Sequence, residues 1–392
     1  MTALQPEPHL DYAAHWAFDP GIAHLNHGSF GACPREVLAL QVELRAQMEW
    51  DAGDFLWTTL PRRLQEARGA LAEFLGAAAE DLAFVTNATV GVNAILRSLH
   101  FQPGDELLVT SHTYAACHRA ADYVATRTGA TLVTVRLPFP VASEQQLVDV
   151  VLAGVTPRTR LALLDHITSP TALILPIARL VDELKARGIE TLVDGAHGPG
   201  MVPINLTRLG AAYYTGNAHK WLCAPKGSAF LHVRRDLQPL VHPCVISHGY
   251  GQGYRAEFDW VGTCDPTPWL CIPKALEFMQ ALLPGGWPAI MARNHALVIE
   301  GRTLVNARLG LAAAAPESMI GAIAAIPLPP AVAGSPAARL EGDALGEWFR
   351  DRGVRSMFPV APAAAVRLSA QLYNYKAQYQ RLCDLLLEAL RG

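Results

Sequence analysis

An aspartate and a lysine, each placed after a short apolar run, are the residues of this sequence best suited to chemistry. Asp194 closes the run 191–194, and Lys220 follows the run 213–216 after three residues. Runs of this length are typical of strands buried on both faces. Since open α/β sheets bind ligands beyond the carboxyl ends of their strands, we expect the acid and the amine to meet in one crevice. Either residue alone is more often a turn former or a solvated side chain, so the prediction depends on the pair.

This pair suits catalysis with an aldehyde cofactor. A lysine in such a crevice can form a Schiff base, and pyridoxal 5′-phosphate (PLP) is the usual aldehyde. The pyridine nitrogen of PLP must stay protonated to draw electrons from a substrate carbanion, and a buried aspartate keeps it so through a charge-assisted hydrogen bond. Asp194 and Lys220 would therefore have different roles in one mechanism.

A third segment offers a place for a phosphate group. Residues 84–91 connect an apolar run to an amphipathic run. Asn87 suits the N-cap of the following helix, whose first backbone N–H groups and positive dipole end favour an anion. Thr89 adds a hydroxyl. Alone, such a turn is an ordinary helix cap, but together with the acid and the amine it predicts a phosphate site.

Strands and helices alternate around these segments. Amphipathic stretches separate short apolar runs: one places four apolar residues between 92 and 99 on a single helical face, and another covers 177–187. This βαβ pattern predicts an α/β fold with a mostly parallel seven-stranded sheet and helices on both faces. The predicted strands are 82–86, 106–111, 131–136, 161–166, 191–193, 213–216 and 228–233.

The chain divides into an N-terminal arm and two predicted domains. Residues 1–22 have mixed polarity and no clear period, and Pro284, Gly285 and Gly286 interrupt the chain before a long helical stretch. We therefore predict a large ligand-binding domain at 23–285 and a smaller α+β domain at 286–392. The elements predicted for the smaller domain are helices at 289–309, near 343–352 and at 376–390, and strands at 319–326 and 365–369.

The composition excludes several classes of protein. Of the 392 residues, 51% are hydrophobic and 17% are charged, which is typical of a folded core and excludes a disordered chain. The formal net charge of −3, with dispersed Lys and Arg, argues against nucleic acid as a partner. Residues 1–16 lack the pattern of a signal peptide, and prolines interrupt the apolar stretch 319–334, so we predict no membrane association. The seven dispersed cysteines include no CxxC pair, which predicts reduced thiols and a cytoplasmic location. We assign no residue as a metal ligand.

Taken in order, these segments resemble the class V aminotransferase family of fold-type I PLP-dependent enzymes. The resemblance covers most of the chain, from Leu25 to Tyr375, and within the family it points to the isopenicillin N epimerase branch. It implies a PLP cofactor, a fold-type I architecture and a homodimer in which the partner chain completes each active site. The segments that carry the resemblance are 25–31, 194–200, 217–227, 261–266 and 366–374.

The resemblance also implies roles for individual residues around the cofactor. Lys220 would hold PLP covalently and move the proton at the substrate's α-carbon, Asp194 would bind the pyridinium, and His197 would lie near the ring's phenolic oxygen. Tyr114 matches the residue that stacks on the ring. The residues implied for the phosphate are Ala88 (through its backbone), Thr89, Asn217 and His219, with Thr263 reaching the phosphate of the partner chain.

A further group of residues is implied for the substrate. Arg367 would bind the substrate carboxylate, for which a planar guanidinium is suited. Thr168 and Ser169 would approach the ring oxygen or the substrate carboxylate, and Asn26 and His27 would border the pocket. Each of these side chains could instead belong to the core or to the solvated surface.

The sequence leaves the reaction open. After a bond at the α-carbon is broken, reprotonation on the opposite face gives epimerisation, expulsion of a β-thiol gives elimination, and reprotonation at the cofactor carbon gives transamination. Epimerisation is the first hypothesis because the resemblance points to it, and a C–S β-lyase or an aminotransferase is the second. A persulfide-forming desulfurase is disfavoured, since residues 351–366, where such enzymes carry a nucleophilic cysteine, contain none. A PLP-binding protein without turnover is disfavoured because both Lys220 and Arg367 are present.

Overall fold

Residues 12–391 are described by the computed structural model, and they fold around a seven-stranded sheet. The strands of this part of the chain, β1 to β11, are Ala23–His24, Leu82–Val85, Glu106–Thr110, Thr131–Val135, Thr159–Asp165, Glu190–Asp194, Tyr213–Asn217, Ala229–Val233, Ile323–Pro327, Val354–Arg355 and Ala365–Ser369. Its α-helices, α1 to α16, are His27–Phe30, Arg35–Trp50, Ala52–Asp54, Leu60–Leu75, Ala88–Ser98, Ala115–Thr128, Glu144–Ala153, Ile177–Lys185, Leu206–Leu209, Tyr254–Asp259, Thr267–Leu270, Ile272–Ala281, Gly286–Leu309, Pro336–Arg339, Gly342–Arg350 and Lys376–Arg391.

The central sheet has the strand order β2-β8-β7-β6-β5-β3-β4. Its neighbouring strands run parallel, except that β8 is antiparallel to both β7 and β2. The seven predicted strands are all present, and the predicted α/β class with a mostly parallel sheet is confirmed. Because β5, β6 and β7 are adjacent and parallel, the segments that follow them meet at one edge of the sheet.

Apolar side chains fill both faces of this sheet. On one face, α5 and α6 pack against it, and three of the four residues predicted to share a helical face of α5, Val92, Ile95 and Leu96, are fully buried. On the other face, a larger core includes residues of α4, α7, α8 and α12. None of the helices among residues 12–391 combines the length and the apolar character that crossing a membrane requires.

A second, two-stranded sheet lies in the C-terminal part of the chain. Strands β9 and β11 pair antiparallel, with α13 and α16 packed beside them. The predicted strand at 319–326 begins later than expected, at Ile323, because Ile320 pairs with Leu173 of a distant loop instead of with β11. The predicted strand at 365–369 and the final helix agree with the structure to within one residue.

The N-terminal segment packs against this C-terminal part. Strand β1 pairs in parallel with β10, and the buried Trp16 contacts the ring of Tyr373 edge-on at 5.1 Å between ring centroids. Of the predicted arm at 1–22, residues 1–11 lie outside the described residues. The division of the chain at residues 22 and 285 stays a prediction.

Candidate active site

Lys220 lies in the turn that follows β7, at the carboxyl edge of the central sheet. Its Nζ atom is 3.2 Å from Nε2 of His197. Burial and the positive charge of Arg367 lower the pKa of Lys220 to about 8, although Asp194 opposes this shift. Since part of such an amine is uncharged at neutral pH, it can act as a nucleophile toward an aldehyde.

Asp194 is the last residue of β6, the strand beside β7, and it is buried. The backbone N–H of Ala196 donates to its Oδ1 at 3.0 Å, and the thiol of Cys117 donates to its Oδ2 at 3.2 Å. Burial raises the pKa of Asp194 above its usual value, although these two bonds and the charge of Lys220 oppose the shift. The arrangement supports a carboxylate that can accept a hydrogen bond from a protonated ring nitrogen.

Asp194 and Lys220 both line a cavity of about 480 Å³. The structure therefore brings together the two residues on which the sequence argument depends. Nine of the predicted site residues form part of its wall: Ala88, Thr89, Tyr114, Ser169, Asp194, His197, Asn217, His219 and Lys220. Five others, Asn26, His27, Thr168, Thr263 and Arg367, do not.

His197 lies between Lys220 and the indole of Trp221. The indole N–H of Trp221 donates to Nδ1 of His197 at 3.3 Å. Because Nδ1 accepts, the ring proton lies on Nε2, which faces Nζ of Lys220. Burial, and then the charges of Lys220 and Arg367, lower the pKa of His197 well below its usual value. His197 is therefore a neutral donor within reach of the cavity.

The start of α5 forms the predicted phosphate site. The side chain of Asn87 caps the helix by accepting the N–H of Val90 at 3.0 Å, as the sequence predicted. Thr89 lies in the first turn, where the two backbone N–H groups that follow it already bond to Asn87, so the dipole end of α5 and the Thr89 residue itself are what favour an anion here. The N–H of Ala88, however, already donates to Oδ1 of Asn217 at 2.8 Å. This bond argues against the predicted phosphate contact through the Ala88 backbone.

His219 faces the same site from the loop after β7. Its Nδ1–H donates to the backbone carbonyl of Ser228 at 3.0 Å, which leaves Nε2 without a proton while the ring is neutral. Burial lowers the pKa of His219 to about 4. A phosphate dianion bound at Nε2 would favour the protonated imidazole. Binding of the phosphate would therefore be coupled to protonation of His219.

A glycine in α5 sets the distance between the phosphate site and the sheet. A Cβ atom at Gly91 would lie 2.2 Å from Oγ1 of Thr215 in β7, so Gly91→Ala has to push α5 away from the strand. We expect this variant to lower the free energy of unfolding by about 1–3 kcal/mol and to weaken PLP binding. Denaturant unfolding and a titration of the cofactor-free protein with PLP measure the two effects.

Gly69→Ala in α4 is the matched control. A Cβ atom at Gly69 meets no other atom within 4 Å. The exchange should raise the free energy of unfolding by about 0.5–1 kcal/mol, as expected for alanine in a helix, without changing PLP binding. Equal behaviour of the two variants would show that the contact between α5 and β7 does not set the phosphate site.

Arg367, in β11, is buried without a counter-ion. Its Nη1 donates to the carbonyl and the hydroxyl of Ser169 at 2.7 and 3.1 Å, and its Nη2 donates to Asn26 and Ser29 at 3.1 and 2.8 Å. These acceptors are neutral, and Nε has no partner among the described residues. Burial lowers the pKa of Arg367 to about 10. Two of its partners, Ser29 and Ser169, line the cavity, so the guanidinium lies directly behind the wall.

His27 lies behind the lysine instead of beside the cavity. Its Nε2–H donates to the backbone carbonyl of Lys220 at 3.0 Å, and its Nδ1 accepts from the hydroxyl of Tyr373 at 2.8 Å. Burial lowers the pKa of His27 to about 3, so the ring is neutral. These contacts argue against the predicted border role and favour one in holding the Lys220 turn. Asn26 similarly contacts Arg367 instead of lining the cavity.

Three further predicted residues differ in their placement. The hydroxyl of Thr168 is used in a buried turn, where it lies 2.7 Å from that of Thr171 and accepts the N–H of Leu173 at 2.9 Å. This turn argues against its predicted contact with the cofactor. Tyr114, at the start of α6, lines the cavity and is 44% exposed, and its stacking on the ring stays a prediction. Thr263 is exposed on the surface of its own chain.

Three residues that were not predicted touch the site. Asp165 lies on the cavity wall, Cys117 donates to Asp194, and Ser29 contacts Arg367. Asp165 falls inside the predicted run 161–166, and only the observed end of β5 at this residue places it at the edge of the sheet. The other two contacts join positions 77 and 338 residues apart, and no local pattern marks them.

Comparison with known proteins places the chain in a family. The Aminotransferase class-V family model matches residues 56–282. The chain is 35% identical to the isopenicillin N epimerase of Streptomyces clavuligerus, over 95% of this chain and 96% of that protein. It belongs to the class V aminotransferase family.

Two further proteins extend this comparison. The probable chloroplastic L-cysteine desulfhydrase of Arabidopsis thaliana is 31% identical to the chain, over 94% of it and 83% of that protein. Among solved structures, the cystine C–S lyase C-DES in complex with cysteine persulfide superimposes with a TM-score of 0.78 at 19% identity, covering 94% of this chain and 98% of that one. The predicted family, the fold-type I architecture and the expectation of a PLP-dependent enzyme are thus confirmed.

The residues of the cavity fit this cofactor. The aldehyde of PLP would react with the amine of Lys220, whose pKa is lowered. The pyridinium nitrogen of PLP would donate to the buried carboxylate of Asp194. Its phosphate group would bind at the first turn of α5, which includes Thr89. The three groups lie on the wall of one cavity, so a single molecule can reach all of them.

Proposed function

We propose that the enzyme acts at the α-carbon of an amino acid or a substrate that contains one, as an epimerase of the isopenicillin N epimerase type. One observation carries this proposal. The guanidinium of Arg367 is buried behind the cavity that contains the Lys220 amine, and its partners among residues 12–391 are all neutral. A buried cation without a counter-ion suits the α-carboxylate of a substrate. A carboxylate held there would have its α-carbon near Lys220.

The chain's own residues then have defined tasks. When bound, PLP supplies an aldehyde for the substrate amine and a ring that accepts electrons from the α-carbon. Asp194 would keep the ring nitrogen protonated, and Lys220, with its lowered pKa, would take the α-proton from one face of the substrate, or deliver it to that face in the reverse direction. Epimerisation also needs a proton donor on the opposite face, for which Tyr114 on the cavity wall is the candidate. The phosphate would be held by Thr89, Asn217 and His219.

A C–S β-lyase is the second candidate. Relatives named L-cysteine desulfhydrase, from Arabidopsis thaliana and rice, are 29–31% identical to the chain over at least 93% of its length. Such a reaction uses the same α-proton removal by Lys220, after which a β-thiol leaves. Elimination without a persulfide needs no cysteine nucleophile, and residues 351–366 contain none.

Identification of the product separates these reactions. The purified chain with added PLP is incubated with isopenicillin N, L-cysteine and cysteine conjugates, and each mixture is analysed by chiral chromatography and by assays for thiol, sulfide and keto acids. We expect both epimers of one substrate and no keto acid. Pyruvate with a thiol or sulfide would replace the epimerase proposal by the lyase, and a keto acid without a thiol would replace it by an aminotransferase. Lys220→Ala is the control for background chemistry.

We also propose that the enzyme is a homodimer in which Thr263 reaches the phosphate bound by the partner. In support, Thr263 is exposed and does not line the cavity of its own chain. Nearby, Trp57 is 67% exposed and stacks on Trp260 at 4.9 Å between ring centroids, which is typical of an apolar surface that another chain covers. We expect the mass of a dimer in analytical ultracentrifugation. For Thr263→Ala we expect roughly tenfold or more weaker PLP binding, the value of one hydrogen bond to a charged group.

Mixing two inactive or weakened chains tests the shared site. In a hybrid of Lys220→Ala and Thr263→Ala chains, one of the two sites has both Lys220 and Thr263. At a PLP concentration that leaves the Thr263→Ala dimer mostly empty, the mixture should regain activity. Thr207→Ala, an exposed threonine outside the cavity wall, is the matched control and should bind PLP normally. A fully active monomer, or a mixture that regains nothing, would contradict the shared site.

A cytoplasmic location stays part of this proposal. The seven cysteines are all free in the structure, and five of them are buried. Dispersed free thiols are typical of a reducing compartment, since disulfides persist mainly in oxidising ones.

A further inference from the structure

Two buried carboxyl groups lie side by side on the wall of the cavity. Asp165 ends β5 and Asp194 ends β6, and the two are register partners in neighbouring parallel strands. Side chains at such positions point to the same face of the sheet, and neighbouring strands are about 4.8 Å apart. The residues are 2% and 3% exposed, and both line the cavity.

The hydrogen bonds around this pair are unequal. Asp194 accepts from the backbone N–H of Ala196 and from the thiol of Cys117. Asp165 accepts the backbone N–H of Tyr114 at its Oδ1, at a longer distance of 3.3 Å. Its Oδ2 is buried and has no hydrogen-bond partner among the described residues. If one of the two groups carries a proton, the bonding pattern therefore favours Asp165 as that group.

We propose that Asp165 is a neutral carboxylic acid at neutral pH, so that the pair carries one negative charge, on Asp194, and that Asp165 acts as the positioning residue for Tyr114. Two carboxylates so close together in a buried site disfavour each other's charge. Burial, and then the charge of Asp194, raise the pKa of Asp165 well above its usual value. Hydrogen bonds from the Tyr114 N–H and the Thr113 hydroxyl act on this pKa in the opposite direction. The proposal rests on the proposed function only in its assignment of Asp194 to the ring nitrogen.

The other groups that face Asp165 do not reverse this balance. The N-terminus of α6 and the amine of Lys220 favour an anion, and the thiol of Cys117 is uncharged because burial raises its pKa. Lys220 also contributes to the stabilisation of Asp194, so its charge does not select Asp165. The helix offers Asp165 one backbone N–H, that of Tyr114, at 3.3 Å, and the carbonyl oxygen of a neutral carboxyl group can also accept it.

A neutral Asp165 has two consequences for the site. Its Oδ1 fixes the backbone of Tyr114 at the first turn of α6, which sets where the Tyr114 ring enters the cavity. Its Oδ2–H is a hydrogen-bond donor without a protein partner, at the wall where a ligand would bind. The single charge of the pair stays on Asp194, opposite a cationic ring nitrogen.

Infrared spectroscopy tests the protonation state without any assay of activity. Carboxyl groups of usual pKa are ionised at pH 7.5, so a protonated carboxyl band at this pH comes from a perturbed group. We expect this band in the full chain both with and without PLP, and we expect Asp165→Asn to remove it. A band that is absent from the wild-type protein, or that persists in Asp165→Asn, would overturn the proposal.

Two variants test the positioning role. Asp165→Asn keeps a neutral acceptor for the N–H of Tyr114, so PLP should bind within threefold of the wild-type affinity. Asp165→Ala removes that acceptor, and PLP affinity should fall about tenfold or more. If Asp165→Asn weakens PLP binding as much as Asp165→Ala does, the charge of Asp165 matters and the proposal is wrong.

Asp194→Asn separates this proposal from the proposed function. Without the neighbouring charge, the band of Asp165 should be lost at a lower pH than in the wild-type protein, and an unchanged titration would contradict the coupling. Normal binding of PLP by Asp194→Asn would instead refute the assignment of Asp194 to the ring nitrogen while leaving the infrared result for Asp165 standing.

Discussion

Lys220→Ala is expected to abolish both turnover and the covalent retention of PLP. Lys220 provides the amine with the lowered pKa on the cavity wall, and the same amine serves as the base at the α-carbon. Loss of a general base alone typically costs about 10²–10⁴-fold in rate, and loss of the nucleophile adds to it. The measurements are the turnover number and, after borohydride reduction, the mass of the protein, which should lack the pyridoxyl addition.

Lys226→Ala is the matched control for this variant. Lys226 lies six residues further along the same loop, but its Nζ donates to the backbone carbonyl of Gly31 at 3.0 Å, away from the cavity wall. The Lys226→Ala protein should keep covalently bound PLP and most of its activity, with some loss of stability. If the Lys220→Ala protein still carried reducible, covalently bound PLP, the assignment of the lysine would be refuted.

Arg367→Lys is expected to weaken substrate binding while leaving PLP bound. Lysine keeps the positive charge but loses the planar fork that binds a carboxylate through two parallel hydrogen bonds. One hydrogen bond to a charged group contributes about 1.5–3 kcal/mol, so kcat/KM should fall roughly 10- to 150-fold, mainly through KM. PLP affinity should change little, because no phosphate or ring contact is assigned to Arg367.

Arg302→Lys provides the comparison. Arg302 is also a buried arginine, in α13, and it donates to the backbone carbonyl of Ala315 at 2.8 Å, outside the cavity wall. The Arg302→Lys substitution should lower the free energy of unfolding without raising the KM for the substrate. An equal loss of PLP and substrate affinity in Arg367→Lys would show that the guanidinium supports the whole site instead of the substrate carboxylate.

The central sheet and the meeting of Asp194 with Lys220 could be predicted from the sequence. Short apolar runs separated by amphipathic stretches define buried parallel strands, and polar residues just after such strands must lie at one edge. The helix cap at Asn87 followed from residue type alone, since its contact with Val90 spans three positions. These features depend on local pattern and on a general rule of sheet topology.

The contacts that fix individual side chains could not be predicted in this way. The carbonyl bound by His27 belongs to Lys220, 193 residues away, and the oxygen that takes up the Ala88 N–H belongs to Asn217, 129 residues away. Such partners depend on the packing of distant segments. Asp165 was overlooked because it stands within an apolar run, and only its register with Asp194 shows that it reaches the cavity.

Exchange of the α-proton measures whether Lys220 acts as a base at the α-carbon of a substrate. Wild-type protein with PLP is incubated in D₂O with a panel of amino acids that includes isopenicillin N, L-cysteine and cysteine conjugates, and the α-proton signals are followed by NMR. We expect the α-proton of at least one substrate to be lost, either by exchange with deuterium or through product formation, and we expect no such loss with Lys220→Ala. Unchanged α-proton signals for the whole panel with PLP-saturated wild-type protein, or equal exchange in Lys220→Ala, would contradict this role of Lys220.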